Sequence, residues 1–357
     1  MNGQAAEVED RVQKIGKDAI AAKGMAREGK FLVVPIPVSN PTLGVGLTLA
    51  GIYLHPTKTA AAGSPTSTSG VGVMATSNES YLVGVFHDGY YFNDFMRLRL
   101  AGGYGELHLK YYGMGNDSPL QDNPLAFNAK STLVTPRLLF ELPVDNLYIG
   151  LDYRYIGIEN FLDASDLTID LPEFSFYTGS AGFGLVGVYD SRDSNIWPAA
   201  GSWLEVTVAN YGGHFFGDYH YNKGGIKFTQ YHHMTDQVVF VYRLDGQFLD
   251  GEPPFWDLAQ INLRGFPFGR YIDKKSVTAQ AEIRWQMFNK WIITAFSGGG
   301  RVADSLNDID SSPTHWAGGA GVRYNIGGDH HLNVGIDVTY ADDQAGVYFQ
   351  IGDWLGK

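Results

Sequence analysis

The sequence predicts an all-β fold, a transmembrane antiparallel β-barrel of about sixteen strands preceded by a short N-terminal amphipathic helix. Three observations lead there. The stretch "LNVGIDVTY" (332–340) alternates without a fault. Leu332, Val334, Ile336, Val338 and Tyr340 point one way, and Asn333, Gly335, Asp337 and Thr339 the other, because successive strand side chains face opposite sides. Next, the polar faces of several strands carry both signs of charge: Asp152 and Arg154, Arg243 and Asp245, Glu282 and Arg284, and Asp337. Such faces suit a hydrated, cross-paired interior, with the apolar faces turned to lipid. Last, short and long connections alternate along the chain, as turns at one barrel end and loops at the other require.

Composition agrees. Of 357 residues, 44% are hydrophobic, only 18% charged and 14% aromatic, and 45 are glycine. Soluble domains carry about a quarter charged residues. A soluble barrel this wide would need a large apolar filling, which the chain does not supply. No blade-sized repeat supports a propeller. The net charge of −12 argues against nucleic acid as a partner. With no cysteines there is neither a disulfide framework nor a cysteine metal site. No apolar run reaches the roughly 18 residues of a spanning helix.

Taken in order, residues 1–30 read as a leader. Val8, Val12, Ile15, Ala19 and Ala22 recur at helical spacing among charged residues, which predicts one amphipathic helix ending near Gly29. Such a helix either docks in or under the barrel and restricts solute passage or remains a solvated leader. No basic start followed by an apolar core marks a signal peptide. Residues 31–357 form the barrel. Strands are expected near 31–38, 43–54, 70–76, 81–91, 96–111, 129–141, 146–158 and 175–189. They continue near 202–211, 220–233, 237–249, 276–287, 290–302, 315–325, 331–340 and 345–354. If the first two are not strands the count falls to fourteen. Two connections break the alternation: "ADDQA" (341–345) is short for a loop, and the Pro/Ser/Thr-rich run 55–70 is long for a turn. Tyr90, Tyr91, Phe92, Phe288, Trp291, Tyr340 and Trp354 sit at strand ends, where interfacial girdles of aromatics are expected.

Two motifs stand out. In the longest loop, "LRGFPFGR" (263–270) offers a cation, a glycine and an aromatic in succession. Arg264 suits a carboxylate fork, Gly265 a close backbone turn, and Phe266 a pocket. In "YDSRDSNIWPAAGSW", Asp190 and Asp193 flank Arg192, and Pro198 and Gly201 fix the backbone, a pattern that builds a turn. The first strand contains Pro35 and Pro37, which lack an N–H at i and i+2, so one edge of that strand has few donors. The terminal strand carries Gly352, which adds no packing. A weak seam is therefore expected between residues 31–38 and 345–354.

Signals for enzymes are poor. There is no Gly-x-Ser-x-Gly elbow, P-loop or His-Glu-x-x-His. Adjacent His232–His233 and His330–His331 would point to opposite faces of a strand. Asp304, Asn307, Asp308 and Asp310 lie in one acidic loop without the spacing of a calcium site. The expectation is no catalysis, no metal and no cofactor.

The two motifs, in this order and spacing, resemble those of the outer-membrane assembly and translocation superfamily of the bacterial surface antigen (BamA/TamA-like) type. The Asp-x-Arg-Asp…Pro-x-x-Gly turn is Asp190, Arg192, Asp193, Pro198 and Gly201, and the resemblance places it on the periplasmic side. The Arg-Gly-aromatic tip of the sixth extracellular loop is Arg264, Gly265 and Phe266, and an acidic residue on the next strand is Glu282. Five strands follow that loop, as the family's topology requires. The following strand departs from the family's Phe-x-Asp-x-Gly pattern: Phe296 and Gly300 are present, but Gly298 stands for the Asp, which leaves Glu282 as the expected partner of Arg264. With 30 residues ahead of the first strand, a member reduced to the barrel is expected, without polypeptide-transport domains. The resemblance implies an integral outer-membrane protein that inserts, assembles or translocates protein or lipid through its sixth loop and lateral seam. Its partners would be outer-membrane lipid and a protein or lipid client. The alternative is a passive or gated pore.

Overall fold

The computed structural model describes residues 29–40, 42–56, 65–162, 175–288, 290–326, 333–342 and 344–355. The expected leader helix lies outside the described residues. The first eight strands are β1 (Lys30–Asn40), β2 (Gly44–Leu54), β3 (Thr68–Thr76), β4 (Tyr81–Tyr91), β5 (Met96–Tyr111), β6 (Leu125–Glu141), β7 (Leu147–Leu162) and β8 (Ser175–Asp190). Next come β9 (Gly201–Tyr211), β10 (Tyr221–Thr235), β11 (Val238–Gly251) and two short loop strands, β12 (Ala259–Gln260) and β13 (Ile272–Asp273). The chain ends with β14 (Lys275–Phe288), β15 (Trp291–Ala303), β16 (His315–Asn325), β17 (Asn333–Ala341) and β18 (Gln344–Ile351). All but β12 and β13 join one sixteen-stranded sheet, each strand antiparallel to the next in sequence. This is the architecture the alternation predicts, and β1, with its two prolines, and β2 both belong to it.

The apolar faces point out. Ile336, Val338 and Tyr340 of β17 are about half exposed, whereas Asp337 and Thr339 between them are buried inside. The same alternation runs through β2, where Val45, Leu47, Leu49 and Tyr53 face outward. Turns at one end are tight. In the β4–β5 turn, Phe92, Asn93 and Asp94 all have positive φ, and Asn and Asp tolerate that region better than most residues. Two expected girdle members face inward instead. Tyr90 shares its face with Arg97 and Asp190 around a small lumenal cleft. Trp354 lies beyond the end of β18 and packs against Tyr231, Val241 and Leu355 inside.

The sheet curls until its first and last strands lie side by side. Among the described residues, no hydrogen-bonded register joins β1 to β18 as one joins every other neighbouring pair of barrel strands. The barrel is nearly closed.

Candidate functional site

Residues 252–274, between β11 and β14, do not stand away from the barrel but dip into it. The sequence supplies the reason. The loop carries apolar side chains at Ile261, Leu263, Phe266 and Tyr271, and these bury together with Val302, Ala317 and Ala341 of the inner wall. Folding a loop into a lumen costs backbone entropy, and this cluster together with buried ion pairs offsets it.

Arg264, at the tip, is 2% exposed. Its Nη1 donates to Asp337 Oδ2 of β17 at 2.9 Å, and its Nη2 donates to Glu282 Oε2 of β14. Its guanidinium also lies 3.5 Å from the ring centroid of Phe296. Gly265 follows with φ +123°, and a Cβ there would stand 2.9 Å from that of Ala341. Only glycine fits so close a turn against the wall. The Gly265 N–H donates to the Tyr348 hydroxyl at 3.0 Å. Phe266 is buried edge-on to Tyr271. The three tip residues and Glu282 thus come together, and Asp337 is a second carboxylate that the motif did not supply. Gly298, where the family pattern has Asp, has its own physical reason. A Cβ there would meet Leu263 Cδ2 at 2.8 Å, so the loop occupies the space that a side chain would need.

The network extends both ways. Arg323 of β16 forks onto Asp337 at 2.6 and 2.9 Å. Arg284 of β14 donates to Glu282 at 2.7 Å, to Asp353 at 2.5 Å and to the Pro198 carbonyl at 3.2 Å. Tyr231 donates to the other oxygen of Asp353 at 2.6 Å. A continuous chain of charge-assisted bonds therefore links the tip of loop six to the residues just after β18. Burying so many charges is tolerable only because each carboxylate takes more than one donor.

A second anchor holds the loop's ascending limb. Asp257, 2% exposed, accepts from Arg154 of β7 at 2.7 Å, from Lys223 of β10 at 2.6 Å, and from the Tyr221 hydroxyl. Burial alone would raise the Asp257 carboxyl pKa, but Lys223 and then Arg154 outweigh it and hold the group below the usual carboxylate range. Loop six is thus tied to β7 and β10 through Asp257 and to β14 and β17 through Arg264, and it runs inside the lumen between them.

The Asp-rich motif forms the β8–β9 turn. Asp190 accepts from Arg192 at 2.7 and 3.0 Å and from Arg97 at 2.9 Å. Asp193 caps the Ala199 N–H at 3.0 Å. Gly201 has φ +98°, and a Cβ would collide with the Ser191 carbonyl oxygen at 2.2 Å. Pro198 lends its carbonyl to Arg284, so this turn touches the network of loop six.

At the seam the structure departs from the expected strand ends. β18 stops at Ile351. Gly352, with φ +68°, turns the chain into the lumen, where Leu355 is fully buried and its carbonyl accepts from Thr229 at 3.1 Å and Arg243 at 3.2 Å. Pro35 and Pro37 lie in β1, paired to Leu49 and Leu47 of β2. A cavity of about 890 Å³ follows the seam, lined by Leu32, Val34 and Ile36 on one side, Ile336 and Phe349 on the other, and Ile196 of the turn. Consecutive residues of β1, inward and outward alike, line it, so it is a slot through the wall rather than a chamber behind it.

Sequence reasoning did not join Asp337, Arg323, Arg284 and Asp353 into one network, and it missed Asp257 as the second anchor. The available signal was a lone charge on the polar face of an otherwise apolar strand, as in "GIDVTY" and "GAGVRY".

A family model described as the Omp85 superfamily domain matches residues 67–353. Among solved structures, the chain is similar to BamA from Haemophilus ducreyi lacking POTRA domains 1-3, at 11% identity and a TM-score of 0.56. That match covers 99% of this chain and 78% of the other. It is also similar to CdiB from Acinetobacter baumannii, at 12% identity and TM-score 0.58, over 91% of this chain but 60% of that one. CdiB from Escherichia coli matches at 13% identity and TM-score 0.58, over 96% of this chain and 70% of its own. Among curated proteins, none matches closely enough to count as a relative.

Proposed function

The chain belongs to the Omp85 superfamily, and from that premise we propose that this integral outer-membrane barrel inserts or translocates protein or lipid through its seam. The observation that carries this reading is the slot between β1 and β18, where no backbone ladder closes the sheet among the described residues. β1 adds to it by presenting apolar side chains on both faces: Phe31 and Val33 on one, Leu32 and Val34 on the other. An edge of that kind suits contact with an apolar strand or acyl chain better than with water. β18 has the firmer footing, because Asp353 and Leu355 tie it to Arg284, Tyr231 and Thr229. In this mechanism β1 is the lip that moves, and the network from Arg264 to Asp353 sets the position of the lip that stays. No catalytic step is part of the proposal. The runner-up, a passive or gated pore, is disfavoured by loop six, which runs inside the lumen between Asp257 and Arg264.

The chain has no cysteine, so introduced pairs report cleanly. Cysteine pairs scanned between residues 31–38 and 345–351 should include one that forms a disulfide while the barrel stays folded. In proteoliposomes offered an unfolded barrel substrate and a fluorescent phospholipid, the oxidised form should lose activity and reduction should restore it. A locked protein as active as the reduced one would remove lateral opening from the mechanism.

A further inference from the structure

A polar cluster lies on the outer wall, next to the seam, where a barrel should be apolar. Tyr53, His55, Ser69, His87 and Tyr91 follow the alternation of outward Leu49, Val71, Val73 and Val85 on β2, β3 and β4. The register sets Ser69 opposite both Tyr53 and His87. Ser69 Oγ lies 2.8 Å from His55 Nε2 and 2.8 Å from His87 Nδ1, and His87 Nε2 lies 2.7 Å from the Tyr91 hydroxyl. Gly89 makes the last contact possible. A Cβ at that position would stand 2.6 Å from His87 Nε2 and 2.4 Å from the Tyr91 ring. The cluster sits at the tight-turn end, beside exposed Phe92, at the level where aromatic belts meet lipid headgroups.

Proton counting defines what the cluster can do. A serine hydroxyl has one donor and two acceptor sites, and a neutral imidazole has one of each. With both histidines neutral, the chain His55–Ser69–His87–Tyr91 satisfies itself in either direction. With both protonated, both rings donate to Ser69, and its own O–H must find a new acceptor. Two cations then share one oxygen and repel each other. Burial and then His87 hold the His55 imidazole below its usual pKa range, as expected for that crowding. Among the described residues, the groups facing the cluster from the flanking strands are Phe31 of β1, across from Tyr53, and Leu100 and Met96 of β5, across from His87 and Tyr91. None of these described groups is a carboxylate. Asp88 and Arg99 pair with each other at 2.6 Å on the lumenal face. The charged form therefore finds no anion among the described residues, and the surroundings at that level are lipid headgroups.

We propose that His55, Ser69, His87 and Tyr91 form a proton-gated site for the phosphate of an anionic phospholipid in the periplasmic leaflet. The phosphate oxygens accept from the His55 Nδ1–H and the freed Ser69 hydroxyl, and the site opens as the imidazoles take up protons at low pH. Its position beside β1 lets a headgroup held there stand next to the slot. The proposal depends on the outward placement of the cluster and not on lateral opening.

The test uses the full chain in nanodiscs containing spin-labelled phosphatidylglycerol or spin-labelled phosphatidylcholine. Electron paramagnetic resonance then reads the fraction of label immobilised at the protein. Two charge-assisted hydrogen bonds to a phosphate whose charge no choline cation offsets should strengthen the preference for phosphatidylglycerol at least about fivefold between pH 8 and pH 5. The double variant His55→Gln/His87→Gln should lose that gain, and each single variant should weaken it, with folding checked by the heat-induced gel shift. Excess inorganic phosphate should compete with the label if the phosphate group is what is recognised. A preference that does not change with pH, or that changes equally in wild type and double variant, would overturn the proposal, as would failure of phosphate to compete.

Discussion

Asp337→Ala should destabilise the folded barrel more than any other single change in the network, by about 3–5 kcal/mol, because removing one partner of a buried ion pair strands the other. Asp337 is fully buried and receives both Arg264 and Arg323. Without it Arg264 still has Glu282, but Arg323, 2% exposed, keeps no other ion pair recorded among the described residues. Arg264→Ala should cost less, since Asp337 retains Arg323 and Glu282 retains Arg284. Urea titrations in lipid vesicles give the ranking. A double-mutant cycle of Arg264→Ala with Glu282→Gln should show coupling. Equal losses for Asp337→Ala and Arg264→Ala, or no coupling in the cycle, would mean that the loop tip is not held by charge.

Ile336→Arg should lower stability in vesicles by about 2–4 kcal/mol, the cost of an arginine near the lipid midplane. The adjacent Asp337 faces the interior, so the wall reverses within one residue. Thr339 is not a neutral comparison, because it is 2% exposed and lies 3.7 Å from where a Gly265 Cβ would be. Thr48 of β2 is better placed. It faces inward between outward Leu47 and Leu49 and is only partly buried. Thr48→Lys should leave the urea midpoint nearly unchanged. Equal losses at Ile336 and Thr48 would contradict the assignment of inner and outer faces.

The strands were legible because lipid and water demand opposite faces of each strand, and that demand writes a period of two into the chain. β1 is the exception, since residues 31–38 are apolar on both faces beside the seam. The tip of loop six was legible for a different reason: Arg, Gly and Phe each have one physical use in a tight, docked turn. Its partners were not legible to the same degree. Glu282 lies on the next strand, but Asp337 is 73 residues from Arg264, and only the loop's course inside the lumen brings them together. Gly298 read as a lost carboxylate, because its neighbour Leu263 is invisible until the loop is placed. Trp354 read as a girdle residue because strand periodicity was carried past Gly352, where the backbone turns inward. The outward histidines escaped notice because His55 lies just past the end of one strand and His87 lies mid-pattern on another, and only register sets them around Ser69.

The claim that the seam is where the protein works is tested most directly by photo-crosslinking in the native membrane. A photoreactive amino acid at Val33 or Phe349, beside the slot, should capture a client polypeptide or lipid. The same group at outward Val208 of β9 or Leu185 of β8, on the far wall, should capture none beyond bulk lipid. Capture that is equal at all four positions, or found only on the far wall, would contradict a seam-centred function.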